Sequence, residues 1–237
     1  PFLENQGSGD AQWTLRKKTS SRDLVTILIV KWVLAICEGS KIGIHLSDIS
    51  GAFHKVSRTI MLGKLSQIGL PDTFIDFLNS YLLPREGIVA VEGALSEAML
   101  LCDMVFQGTV LGPALWNTFF SDVATEIPLG TQEVNLYADD LNGVCIRHVD
   151  HSEHMLMDEL QGMQERAHAW GRKNRVSFDP GTRNFVILHP LVHAGDTFKL
   201  LGTLVDPSLS MRPCIESILS KARPKICLLY TSDAADE

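Results

Sequence analysis

The chain has 237 residues, 45% of them hydrophobic and 21% charged, enough to bury a real core as one large domain or two small lobes. Its formal net charge of −7 and pI near 5.6 argue against a protein that coats nucleic acid nonspecifically, although a cleft needs only local positive potential. Cys37, Cys102, Cys145, Cys214 and Cys227 form no CxxC pair, so neither a disulfide framework nor a cysteine zinc site is indicated, and a reducing compartment fits best.

Leu24, Ile27, Leu28, Val30 and Leu34 recur at helical spacing between Ser21 and Glu38, behind Ser20 or Ser21 as N-cap, which predicts a core-facing helix. Its apolar stretch, Leu24 to Cys37, is interrupted by Lys31 and is shorter than a membrane span; with no signal-peptide pattern visible, the reading is a soluble protein. KIGIHLSDIS then predicts a buried strand with Ile42, Ile44 and Leu46 on one face, ending at Asp48. Two helices follow, Arg58 to Gln67 and Pro71 to Leu83, the first stopped by Gly69. GIVAVEG after Pro84 alternates like a strand, and QGTVLGP feeds a helix from Leu111 to Glu126. Strands Glu133 to Tyr137 and Leu141 to Arg147 come next, then a helix from about Ser152 to Lys173. Short strands at Asn184 to Leu188 and Thr197 to Leu201, a turn at Gly202 and a helix from about Pro213 to Ala222 complete the native-looking chain. The chain begins at Pro1 rather than methionine. Its last residues, CLLYTSDAADE from Cys227 to Glu237, fit an in-frame translation of a transposase-type sequencing adapter, so both ends are expected to be cut and the tail to be non-native.

Tyr137, Ala138, Asp139 and Asp140 sit between two strand signals, placing two carboxylates at a hairpin tip. Burying that charge unpaired would cost several kcal/mol, roughly. A hard divalent cation such as magnesium would compensate it, and an exposed Asp-Asp turn is the bland alternative. Asp48 also ends an apolar strand and would complete a three-carboxylate cluster if strand and hairpin are sheet neighbours. Such a cluster suits two metal ions about 3.5–4 Å apart, the arrangement used for in-line nucleotidyl transfer. One ion would lower the pKa of an attacking hydroxyl and the other would hold the triphosphate.

DISGAFHKV from Asp48 to Val56, QGTVLGPALWN from Gln107 to Asn117 and YADD from Tyr137 to Asp140 stand in an order that resembles the first three catalytic motifs of the reverse transcriptases. Within that family, the resemblance is to the enzymes of non-LTR (LINE-like) retrotransposons. The stretch from Trp170 through FDPGTRNFVIL is similar to the fourth motif, KLLGTLVD from Lys199 to Asp206 to the fifth, the primer grip, and QWTLRKKTSSRD from Gln12 to Asp23 to an upstream family stretch. The resemblance spans about residues 5–226.

It implies an α+β fold: a polymerase right-hand palm with partial fingers, its antiparallel sheet packed on helices. Residues 1–40 would be partial fingers, 41–198 the palm with fingers-derived helices, and 199–226 the primer grip and start of the thumb, with 227–237 the tail. Asp48, Asp139 and Asp140 would be catalytic and would ligate two Mg²⁺ ions, with Mn²⁺ as a substitute. Phe53 would be the steric gate against a ribose 2′-hydroxyl, although a core phenylalanine is an open alternative. Gln107 and Gly108 would contact the incoming dNTP, Tyr137, Ala138, Leu201 and Gly202 the primer, and Arg16, Lys17 and Lys18 the nucleic-acid backbone. The implied partners are an RNA template, a DNA primer and dNTPs, with no membrane and no obligate protein partner, inside the cell in nucleus or cytoplasm.

The chain departs from the pattern in two places. His54 stands where many relatives carry Asp, and Thr182 with Arg183 where the fourth motif offers a lysine; arginine, with a pKa above about 12, donates protons poorly. Missing fingers and thumb lead to the expectation that this chain alone extends a primer weakly or not at all. Other readings are a catalytically silent remnant or nucleic-acid-binding scaffold, and a group II intron type of reverse transcriptase. Arg166, Arg172, Lys173 and Arg175 read either as a template-facing cluster or as a solvated helix face. His148, His151 and His154 read as solvated rather than zinc-binding, and Trp116 and Trp170 as core anchors.

Overall fold

Ser20 starts the first helix. Its hydroxyl accepts the Asp23 amide at 3.3 Å, and the Asp23 carboxylate accepts the Ser20 amide at 2.7 Å, a reciprocal capping box for α1 (Ser21–Cys37). The computed structural model describes residues 11–14, 19–102, 105–106, 108–179, 184–193 and 195–233. In α1 the buried arc is Leu24, Val25, Leu28, Trp32 and Ala35, while Ile27, Val30 and Leu34, expected to face the core, are exposed. This helix is apolar almost all round, so periodicity could not single out its inner face.

β1 (Ser40–Asp48) is one of the two inner strands of a four-stranded antiparallel sheet in the order β6–β7–β1–β8, with β6 Glu133–Tyr137, β7 Asp140–His148 and β8 Asn184–Leu188. Ile42, Ile44 and Leu46 join α1 in one apolar cluster. The opposite face packs on α6 (Glu153–Asn174), whose Leu156, Leu160, Met163, Ala167 and Trp170 belong to a second cluster. That close approach is possible because Gly43 and Gly143 carry no side chain: a Cβ at Gly143 would lie 2.0 Å from the Met163 sulfur, and one at Gly43 2.9 Å from a Leu156 methyl. Gly143→Ala is therefore expected to destabilise the protein by about 1–3 kcal/mol, the usual overpacking cost, and Met163→Ala in the same chain should recover part of the loss in a urea titration. His45, also on this face, is fully buried against Phe185, and burial lowers its pKa to about 4.

The four α-helices between β1 and β6 line the other side of the second cluster. α2 (Arg58–Gln67) has the expected limits, and α3 (Asp72–Tyr81) begins one residue after Pro71 and stops short of Leu83. The expected single helix from Leu111 to Glu126 is two, α4 (Gly112–Phe120) and α5 (Val123–Glu126), separated at Ser121 and Asp122, where the Asp122 carboxylate accepts from Lys64 and Trp170. Trp116 and Trp170 are core anchors as expected, with the Phe120 ring 5.4 Å from one and 5.5 Å from the other.

GIVAVEG is not one strand. β2 (Arg85–Gly87) pairs with β5 (Met99–Leu101), and β3 (Ala90–Val91) with β4 (Ala94–Leu95) across a Glu92–Gly93 turn in which both residues have positive φ, 49° and 86°. That is the demand of a tight two-residue hairpin. β9 (Phe198–Leu200) and β10 (Thr203–Val205) form a second such ribbon around Leu201 and Gly202. α7 runs Arg212–Asp233, well past the expected end at Ala222. Among the described residues no helix is long and apolar enough to cross a membrane.

Candidate active site

Antiparallel register brings the carboxylates together. Asp48, last residue of β1, lies directly opposite Asp140, first residue of β7, so their side chains emerge on one face of the sheet edge. Asp139 is the neighbouring residue in the two-residue turn that closes β6 onto β7, where Tyr137 pairs with Asp140. All three aspartates are half-buried. Burial raises the Asp48 carboxyl above its ordinary value; the Asp139 charge adds to this, a hydrogen bond from the Ile49 backbone opposes it, and Asp179 pushes it up again. Asp140 is pushed up to about 6 by burial, then by Asp48 and Asp139. The site thus concentrates like negative charge.

Asp179 was not anticipated. It arrives because Ile49 bridges Phe178 and the Asp179 amide donates to the Asp48 carbonyl at 2.8 Å, strapping the segment after α6 along the end of β1. FDPG announces a turn, but nothing in it tells which strand the turn lies against.

The hairpin tip is held from outside the sheet. Ala138 has φ 55°, at a position where two-residue hairpins favour glycine. Its amide donates to the Thr14 hydroxyl, and its carbonyl accepts the Trp116 indole N–H at 2.9 Å and the Gln12 amide at 3.4 Å. Thr14 is tied to α4 in turn, its carbonyl accepting from Asn117 at 3.0 Å. The Trp116 ring also meets Phe53, 5.4 Å between ring centroids, on the 3₁₀ turn Ala52–Lys55 just after Asp48. Phe53 is half-buried against the core.

Gly108 lies in the turn before α4 with φ 77° and open space where a Cβ would stand. Tyr137 packs on the α1 side, and Leu201 and Gly202 form the tip of the β9–β10 ribbon, whose Phe198, Leu200 and Val205 join the α1 cluster. Gln107, Arg16, Lys17, Lys18, Thr182 and Arg183 lie outside the described residues. The second basic cluster is largely committed to the fold: Arg166 donates to the Ile127 carbonyl and to Gln132, and Lys173 to Glu126, while Arg172 and Arg175 are exposed. His148, His151 and His154 each face a carboxylate, Asp150, Glu159 and Asp158 respectively.

Among the described residues no three His, Cys, Asp or Glu side chains converge tightly enough to hold a metal ion unaided. The donor set nevertheless fits magnesium. It is all oxygen, its carboxylates raise one another's pKa, and among the described residues Asp48 Oδ1 is buried without a hydrogen-bond partner. Magnesium usually takes one or two carboxylates and fills its shell with water and phosphate oxygens.

An antiparallel sheet backed by helices, with acidic strand ends opposed at one edge, is the architecture of a polymerase palm. Residues 11–177 match the family described as reverse transcriptase (RNA-dependent DNA polymerase), and the chain belongs to that family. It is 27% identical over 198 residues to the probable RNA-directed DNA polymerase from transposon X-element of Drosophila melanogaster, covering 77% of this chain and 21% of the relative. It is 28% identical over 197 residues to the RNA-directed DNA polymerase from mobile element jockey of Drosophila funebris, covering 76% and 21%. The chain therefore spans about a fifth of the length of these curated relatives, which are of the LINE-like kind expected from the motifs. Among solved structures it is similar in fold to apo telomerase from Candida tropicalis truncated from its C-terminal domain, with TM-score 0.59, 10% identity and coverage of 85% of this chain and 40% of that one. Telomerase from Candida albicans in complex with a fragment of telomeric RNA gives TM-score 0.57 at 12% identity, covering 88% and 36%.

Proposed function

We propose that this chain carries the palm of an RNA-directed DNA polymerase of a LINE-like element, which extends a DNA primer on an RNA template with dNTPs. The observation that carries the reading is the register of Asp48 against Asp140 with Asp139 beside them, since two strands distant in sequence meet on their carboxylates. The relatives' names support the same activity. Asp48, Asp139 and Asp140 would hold magnesium, or manganese in its place, in a two-ion arrangement. Bound there, the metal supplies positive charge that lowers the pKa of the primer hydroxyl and neutralises the triphosphate.

The chain's own residues position the reactants around that centre. Phe53, propped on Trp116, closes the space a ribose 2′-hydroxyl would need. Gly108 lets the backbone approach the nucleotide beside Gln107, and Tyr137 with Ala138 adjoins the primer end. Leu201 and Gly202 hold the primer strand, and Arg16, Lys17 and Lys18 meet template phosphates in a salt-dependent way. On this reading 1–40 is partial fingers, 41–198 palm and 199–226 primer grip leading to a thumb, working in nucleus or cytoplasm.

Primer extension on poly-rA with oligo-dT, dTTP and Mg²⁺ tests the proposal, in this chain and in a longer protein that carries it. Incorporation should depend on Asp139, falling about 10²–10³-fold in Asp139→Asn. Measurable incorporation that is equal in wild type and Asp139→Asn, or none from the longer protein, would overturn it.

A further inference from the structure

The tip of the hairpin presents an unusual problem. Ala138 occupies a left-handed backbone conformation that is disfavoured for an L-residue, and its peptide groups lie beyond the last ladder pair, Tyr137 with Asp140. Neither of its polar groups is served by the sheet. Both are nonetheless satisfied, and by residues remote in sequence: the amide by Thr14, the carbonyl by Trp116 and, at longer range, Gln12. The segment around Thr14 is itself anchored as an added edge, the Trp13 amide donating to the Leu136 carbonyl at 2.9 Å and the Leu136 amide to the Ala11 carbonyl at 2.8 Å. Asn117, next to Trp116 on α4, holds the Thr14 carbonyl at 3.0 Å. The grip therefore closes on itself through α4, the tip and residues 11–14.

We propose that Thr14 and Trp116 are positioning residues that clamp the Ala138 peptide from its two sides and so fix the direction in which the next residue, Asp139, presents its carboxylate to a divalent cation. The inference rests on the polymerase reading and deepens it. Its physical content is preorganisation: a carboxylate on a two-residue turn can swing with the turn, and a swinging ligand binds a cation more weakly than a fixed one. Trp116 suits the task because an indole N–H is only a donor and its ring is locked among Phe53, Phe119 and Phe120. Trp32 supplies the contrast, a tryptophan equally buried in the other cluster whose indole N–H has no hydrogen-bond partner.

The test is calorimetric titration of Mn²⁺ into the folded protein, with thermal melts of each variant in EDTA. Thr14→Val keeps the shape of the side chain and removes the hydroxyl; it should weaken Mn²⁺ binding about tenfold, the low end for loss of a residue that orients a metal ligand. Thr14→Ser should restore binding to nearly the wild-type value. Trp116→Phe should weaken binding at least as much as Thr14→Val, whereas Trp32→Phe, which removes the same ring volume elsewhere, should lower the melting temperature and leave Mn²⁺ affinity unchanged. A Thr14→Val protein that melts like wild type and binds Mn²⁺ equally well overturns the clamp alone. A wild-type protein that binds no Mn²⁺ overturns the polymerase reading and the clamp with it.

Discussion

Asp140→Asn is expected to make the metal-free protein more stable while removing its response to magnesium. Asp140 faces Asp48 across the β1–β7 ladder, and burial with the Asp48 and Asp139 charges pushes its pKa up to about 6 from 3.8. A carboxyl whose pKa is raised by folding favours the native state only while protonated. That contribution is present below pH 3.8 and lost as pH rises through about 6, so at pH 8 in EDTA the ionised group works against folding. Discounted for its partial exposure to solvent, the penalty is about 1 kcal/mol, and Asn should raise the melting temperature by about 2–4 °C. At pH 4 the two proteins should melt nearly together. Magnesium in tenfold excess over its Kd should stabilise wild type by about 1.4 kcal/mol and Asp140→Asn much less. Melts of both proteins at pH 4 and pH 8, with EDTA and with Mg²⁺, decide the matter; a wild-type advantage at pH 8 without metal would refute the charge-repulsion account. The gain in stability and the loss of the cation's effect have one origin, which is the expected signature of a site strained for function.

What was legible in the sequence follows from the range of the forces involved. Ser20, Arg58, Gln67 and the limits of β6 and β8 came from local signals: caps, helical or period-two spacing and glycine stops. The Asp48–Asp140 meeting was readable because Asp48 ends one apolar strand and Asp140 opens onto another, and motif order identified the family. Local signals failed where an element's environment decides. Ile27, Val30 and Leu34 are as apolar as the residues α1 buries, and only the position of the sheet chooses between them. GIVAVEG alternates, yet Glu92 and Gly93 fold it back on itself. The clamp on Ala138 was invisible for a related reason, since the Thr14 contact spans 124 residues and a threonine in a turn carries no sign of its partner. Arg166 and Lys173 illustrate the converse: their charge was visible, but the carbonyl, amide and carboxylate that engage them were not.

Asp122→Ala should be the most damaging single change behind the active site, and Lys64→Met a mild one, although the two residues form one ion pair. Lys64 Nζ lies 2.8 Å from the Asp122 carboxylate and donates to the Phe119 carbonyl at 2.7 Å, with the Phe119 and Trp170 rings 4.5 Å and 4.9 Å away. Its side chain is only 13% exposed, against 36% for Asp122. Burial lowers the Lys64 pKa and the Asp122 hydrogen bond and charge raise it again, with a smaller contribution from Glu126, so removing Asp122 takes away most of what offsets the burial penalty. It also strands the Trp170 indole N–H, which donates to the same carboxylate at 2.9 Å. Breaking a buried pair from one side costs about 3–5 kcal/mol; with Asp122 partly open to water, about 2–3 kcal/mol is expected, a fall of roughly 5–10 °C in melting temperature. Lys64→Met keeps an apolar stem on the two rings and leaves Asp122 with Trp170 and solvent, so its cost should stay near 1 kcal/mol. The double variant should then be more stable than Asp122→Ala alone, a coupling that a urea-melt cycle measures directly. Equal destabilisation by the two single changes would show that the pair acts as packing rather than as a buried charge with its counter-ion. Because Asp122 links α2 and α6 just beyond α4, which carries Trp116, the same variant should also loosen the support of the Ala138 turn, so that Mn²⁺ affinity falls in Asp122→Ala and holds in Lys64→Met.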